Sequence, residues 1–148
     1  MSAPGEPDPR SSDIPGAGAD PSLIDFATKI FNLARAGDTT AIAAYVDAGV
    51  PVNLTNDKGD TLLMLAAYHG HADTVAALLQ RGADPGRLND RGQTPLAGAV
   101  FKKEPQIVRA LLEAGADPAA GQPSAADTAA MFGNEEFLAW FAARGDRG

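Results

Sequence analysis

The sequence predicts an all-α solenoid of four stacked helix-turn-helix units, two clear and two capping, joined by short β-hairpin-like finger turns. Three observations carry this expectation. Residues 56–85 slid onto residues 89–118, an offset of 33, coincide at fourteen of thirty positions, in order from Asn-Asp to Gly-Ala-Asp-Pro. A unit-closing glycine recurs at Gly49, Gly82, Gly115 and Gly145. Within each unit the apolar residues keep helical rather than strand spacing, in two short patterns rather than one long one.

In chain order, residues 1–22 hold Pro4, Pro7, Pro9, Pro15 and Pro21 and a net charge of −3, from Glu6, Asp8, Asp13 and Asp20 against Arg10. Such a stretch buries too little apolar surface to offset about 1–2 kcal/mol of backbone entropy per residue, so it is expected to be a disordered acidic tail. The repeat domain follows over 23–145, in units of about 23–55, 56–88, 89–121 and 122–145. In the second unit, Leu62 to His69 form the first helical pattern, with Thr61 placed to cap its first turn and Gly70 to stop it. Thr94 and Ser124 repeat that cap, and Pro95 follows at the first helical position, where its missing N–H costs nothing.

The second helical pattern carries Val75, Leu78 and Leu79 at i, i+3 and i+4 and closes at Gly82, a residue free to adopt the left-handed turn. Ile42, Tyr45 and Val46 fill those slots in the first unit, Val108, Leu111 and Leu112 in the third, and Leu138, Phe141 and Ala142 in the fourth. Ala66, Ala67, Ala99, Ala129 and Ala130 allow close approach between neighbouring helices. One such pair has no second layer of its own, so stability must come from stacking.

Asn56-Asp57-Lys58-Gly59-Asp60-Thr61-Leu62-Leu63 through Gly82-Ala83-Asp84, and Asn89-Asp90-Arg91-Gly92-Gln93-Thr94-Pro95-Leu96 through Gly115-Ala116-Asp117, resemble the ankyrin repeat. The resemblance covers about 23–145 and is closest to small bacterial ankyrin repeat proteins. It departs in places. Met64 and Ala97 stand where the family has histidine, so the Thr–His network between ideal repeats is expected to be absent. Gly98 lies inside a predicted helix, a cost of about 1 kcal/mol against alanine. Lys103 replaces the loop glycine, and left-handed backbone there costs roughly 1–2 kcal/mol, so the third unit is expected to turn differently or to be weaker. The link from Asp117 to Pro123 is short and lacks the turn glycine, which predicts a stunted fourth finger.

Composition narrows the function. The chain has 148 residues, 45% hydrophobic and 21% charged, with no cysteine, two histidines and a net charge of −7. Disulfide scaffolds and thiolate metal sites are excluded, and the charge disfavours nucleic acid and anionic membranes as partners. With no long apolar run and no basic-then-apolar leader, the expected location is cytoplasmic. His69-Gly70-His71 lacks a third ligand, so no metal is expected. Asp57-Lys58-Gly59-Asp60 lacks calcium-loop spacing, while Ser11, Ser12 and Gly16-Ala17-Gly18 support neither a triad nor a phosphate loop. No catalytic residue and no cofactor follow.

The resemblance implies a noncatalytic protein–protein scaffold that binds through its concave face, which is formed by fingers and first helices. The finger tips present Asp57, Lys58 and Asp60, then Asp90, Arg91 and Gln93; the helix ends present Tyr68 and His69, then Phe101 and Lys102. Tyr68, Phe101 and Met131 share one repeated slot and form either an exposed ladder for an apolar segment with acidic flanks or packing between helices. The chain is expected to be a monomer. Two alternatives accompany this reading: a dedicated regulator or stabiliser of one enzyme, and a structural protein that self-associates through Phe137 and Trp140. Those two residues occupy the slots of Thr74 and Ala77, read as leaning outward where no fifth unit follows, and form either an oligomer or partner contact or a hydrophobic terminal cap partly wrapped by Ala142 to Gly148.

Overall fold

A computed structural model describes residues 21–147. The first helix opens at Pro21, two residues inside the stretch assigned to the tail; the rest of that expected disordered segment lies outside the described residues. Eight helices follow in order: α1 (Pro21–Ala36), α2 (Thr39–Asp47), α3 (Leu62–Tyr68), α4 (Ala72–Gln80), α5 (Pro95–Phe101), α6 (Pro105–Glu113), α7 (Ala125–Met131) and α8 (Glu135–Arg147). They pair as α1–α2, α3–α4, α5–α6 and α7–α8. The odd helices stack in one row, α1 on α3 on α5 on α7, and α2, α4 and α6 continue the second.

The caps hold the short helices in register. Thr61, Thr94 and Ser124 accept from the backbone N–H groups of Met64, Ala97 and Asp127 at 3.1, 3.0 and 3.0 Å. Each satisfies a donor that a seven-residue helix leaves unpaired in its first turn, and a short helix has few other bonds to share the loss. Asp38 and Asn134 do the same for α2 and α8, accepting from Ala41 and Phe137 at 3.2 and 3.1 Å.

Burial follows the repeated slots: Ile42, Val75, Leu78, Val108, Leu111, Leu112 and Phe141 are buried, while Leu79 and Leu138 are partly so and Ala142 is exposed. The apolar face is wider than the i, i+3, i+4 stripe alone. Thr74, Ile107 and Phe137, one residue earlier in their units, are also buried. Thr74 shares a 2.7 Å hydrogen bond with Thr39 of the preceding unit. His71 is a second tie between units: its Nε2 donates to the Arg35 carbonyl at 2.6 Å, which fixes a proton on that nitrogen.

Three expectations are corrected. The slot of Thr74 and Ala77 faces the preceding unit and not the open end. Phe137 is therefore 2% exposed, against Trp140 at a ring separation of 5.2 Å, and Trp140 lies beneath the Arg109 guanidinium of α6 at 4.5 Å. Of the two anchors of the self-association reading, Phe137 is core and Trp140 is partly buried, which is the arrangement of a terminal cap. The third unit does not turn differently: Lys103 adopts φ +58°, the conformation of Gly37, Gly70 and Gly133, and donates to the Val100 carbonyl as Gly70 does to that of Ala67. The fourth finger is short as expected, its bridge joining Gly121 to Ser124 where the second unit's joins Thr55 to Thr61, but it keeps a turn glycine, shifted to Gly121 with φ +87°, and it docks through the Gln122 N–H on the Gly92 carbonyl at 2.9 Å.

Candidate functional site

The fingers lean on one another in series. The Asp90 N–H donates to the Lys58 carbonyl at 3.0 Å, and a β-carbon at Gly59 would meet the Asp90 carboxylate at 2.5 Å, so only glycine permits this approach. Asn89 bridges the two fingers. Its amide donates to Asp60 at 2.9 Å and to Gln93 at 2.8 Å with the Met64 sulfur beside it, while its carbonyl accepts from the Arg91 and Gln93 N–H groups. Thr61 and Thr94 are left to cap their own helices.

Between the second and third fingers and the C-terminal ends of α3, α5 and α7 lies a groove of about 500 Å³. Met64, Leu65, Ala97, Gly98 and Thr128 form its floor, Tyr68, Phe101, Met131 and Phe132 stand around it, and Lys58, Asp60, Arg91 and Gln93 edge it on the finger side. The inner helices end where these side chains begin, so no further turn of helix covers them. Tyr68, Phe101, Met131 and Phe132 are 43%, 51%, 71% and 47% exposed. Phe101 at the end of α5 and Phe132 just past α7 pair at 5.7 Å, and with Tyr68 and Met131 they line one groove rather than scattered exposures.

Of the ten residues singled out in the sequence, six line this groove: Lys58, Asp60, Tyr68, Arg91, Gln93 and Phe101. Asp57 and Asp90 sit exposed on the fingers outside it. Lys102 and His69 flank Tyr68, the Lys102 ammonium 5.0 Å from the ring centroid and the His69 ring edge-on at 5.5 Å. Sequence reasoning missed the floor. Gly98 was visible there only as a weak point in a helix, although its slot is held by Leu65 one unit earlier and Thr128 one unit later.

The charge at the groove differs from that of the chain. Its lining includes two cations, Lys58 and Arg91, and one carboxylate, Asp60, which is already engaged by Asn89. Outside the lining, Lys102 adds a third positive charge beside Tyr68, and Asp57 and Asp90 add two negative ones on the fingers. His69 holds its proton less tightly than an ordinary histidine, first because partial burial withholds water, and then because His71, Arg35 and Lys102 disfavour a further positive charge. No group of three or more potential metal-ligating side chains occurs among the described residues, and no described helix is long and apolar enough to cross a membrane.

A stack of helix-turn-helix units with hairpin fingers and an open apolar groove defines the class as a repeat solenoid built for surface recognition. The chain belongs to the ankyrin repeat family: the family model for ankyrin repeats, in three copies, matches residues 30–122. It is also similar to an ankyrin repeat protein of Pseudomonas aeruginosa, 45% identical over 62 residues, which are 42% of this chain and 36% of the relative. The chain thus matches about a third of that relative's length. Ankyrin repeats are general protein–protein interaction modules and typically noncatalytic, so the coarse role is that of a binding scaffold.

Proposed function

We propose that the concave groove binds an apolar segment of a partner protein carried between acidic residues. The observation that carries this reading is the exposure of Tyr68, Phe101, Met131 and Phe132 around one groove. Exposed aromatic and methionine side chains grouped in a concavity supply area that water solvates poorly, and aromatic anchors of this kind dominate binding energy where interfaces have been truncated residue by residue. Lys58, Arg91 and Lys102 favour carboxylates on either side of the apolar anchor, which a chain with a net charge of −7 would otherwise repel.

Asp57 and Asp90 belong to this face as exposed charges on the fingers outside the groove. His69, being mostly neutral near pH 7, contributes ring surface beside Tyr68 rather than charge. Partner binding is favoured over self-association because Phe137 is buried and Trp140 is partly covered by Arg109.

The test is selection of peptides from a displayed library on the immobilised full chain, followed by affinity measurement on Tyr68→Ala/Phe101→Ala. The proposal expects selected peptides to be apolar with acidic flanks and to lose roughly tenfold to a hundredfold in affinity on the double variant. Peptides that bind wild type and double variant equally, with helicity unchanged, contradict it.

A further inference from the structure

Gly98 lies in the middle of α5 with an ordinary helical backbone, so its conformation does not call for glycine. Nor does space. A β-carbon there would meet Tyr68 Cδ1 at 3.7 Å, an ordinary van der Waals contact, and nothing else closer than 4 Å. A helix-interior glycine weakens a seven-residue helix, and here no turn, close approach or positive φ requires it. What the missing side chain does is lower the groove floor. The equivalent slots hold Leu65 and Thr128, so the floor dips at the centre of the groove, with Ala97 beside it and the Tyr68 and Phe101 side chains standing around it.

We infer that Gly98 is the specificity-determining residue of this surface, keeping a slot open for one aromatic side chain of a partner segment whose neighbouring residues are acidic. The inference rests on the groove being the binding site, as proposed above. Its chemistry follows from what surrounds the dip. Tyr68, Phe101 and Phe132 offer ring edges and faces, and the Met64 and Met131 sulfurs offer polarizable contacts, both of which favour a ring over an aliphatic chain of equal area. A flat ring reaches the floor only where no β-carbon stands. Lys58 and Arg91 at the finger edge and Lys102 beside Tyr68 then face the backbone on either side of the anchor, where carboxylates meet them.

The experiment uses the full chain and a fluorescein-labelled synthetic peptide with one central Trp, Ser spacers and three Glu on each side, read by fluorescence anisotropy. Matched peptides carry Ala or Leu at the centre, or Lys in place of Glu. Wild type is expected to bind the Trp peptide at least tenfold more tightly than the Ala peptide and to discriminate against the Lys version. Gly98→Leu, which copies the side chain that Leu65 already places in this slot, should erase the Trp preference. Gly98→Ala should weaken Trp binding severalfold while raising Tm by roughly 2–4 °C, because alanine is the better helix former. That opposite movement of binding and stability is what a merely structural glycine would not give.

Equal binding of the Trp and Ala peptides by wild type, or unchanged Trp binding by Gly98→Leu, overturns the inference. If the Trp peptide binds Tyr68→Ala/Phe101→Ala as well as wild type, the groove itself is not the site and the underlying proposal fails instead. Displacement of the peptide by N-acetyl-tryptophanamide at equal affinity would make the slot a small-molecule pocket and would also overturn it.

Discussion

Lys103→Gly should stabilise the protein. Lys103 holds φ +58° at a position where Gly37, Gly70 and Gly133 hold +76°, +82° and +64° in the other units, so the turn geometry is common and only the residue differs. For a side chain with a β-carbon the left-handed region costs roughly 1–2 kcal/mol. Glycine relieves that but loses more freedom on folding, which returns roughly 0.4–1 kcal/mol. The net gain is about 0.5–1 kcal/mol. With an unfolding entropy of about 2.1 cal/mol/K per residue, a folded unit of roughly 127 residues changes Tm by about 4 °C per kcal/mol, so the expected rise is roughly 2–4 °C. Lys103 is exposed, and its backbone bond to Val100 survives the change, so no lost contact competes. The assay is thermal unfolding followed by circular dichroism, with Lys103→Ala as the control that keeps the strained backbone and should leave Tm nearly unchanged. Equal rises in both variants, or no rise with glycine, would refute the strain argument.

The remaining predictions concern the stack and its titration. Phe137→Ala should cost about 3–5 kcal/mol, because a buried aromatic is removed from the last unit, and hydrogen exchange should show α7 and α8 opening ahead of α3 to α6; uniform loss of protection would contradict this. The same variant should leave the chain's mass in light scattering as it was, since that ring lies inside the stack. His71→Leu should destabilise by about 1–3 kcal/mol, because the Arg35 carbonyl loses its donor, and an unchanged denaturation midpoint would show the bond to be dispensable. His69 should titrate below the ordinary histidine value of 6.5, observed by NMR of its ring protons. The folded chain then binds that proton less readily than the unfolded chain, so this group erodes stability as pH falls through 6.5 toward the folded value. A midpoint at or above 6.5 contradicts the account of its surroundings.

The stack was legible in the sequence because period, caps and helix stops are local. Thr61, Thr94 and Ser124 announce their helices within a few residues, and the 33-residue offset places the first three units, with the fourth following at 30. What crosses between units was not legible. Thr74 looks like a polar surface residue until Thr39 is seen 2.7 Å away, and the same slot turns Phe137 from an apparent end contact into core. The alternation between exposed ladder and interhelical packing at Tyr68, Phe101 and Met131 depends on where three separate helices stop relative to one another, which no single repeat encodes. Gly98 is the clearest case. Its helix cost could be read from the sequence, but the groove it opens is formed with Tyr68 from the neighbouring unit.

Whether the concave face is the working surface is tested most directly by NMR chemical-shift mapping on the isotope-labelled full chain, titrated with the tightest peptide from the displayed library. The account predicts perturbations grouped at Lys58, Arg91, Gln93, Tyr68, Gly98, Phe101 and Met131, on the fingers and the ends of α3, α5 and α7. Perturbations grouped on the outer helices α4, α6 and α8, with the groove residues unmoved, would contradict it.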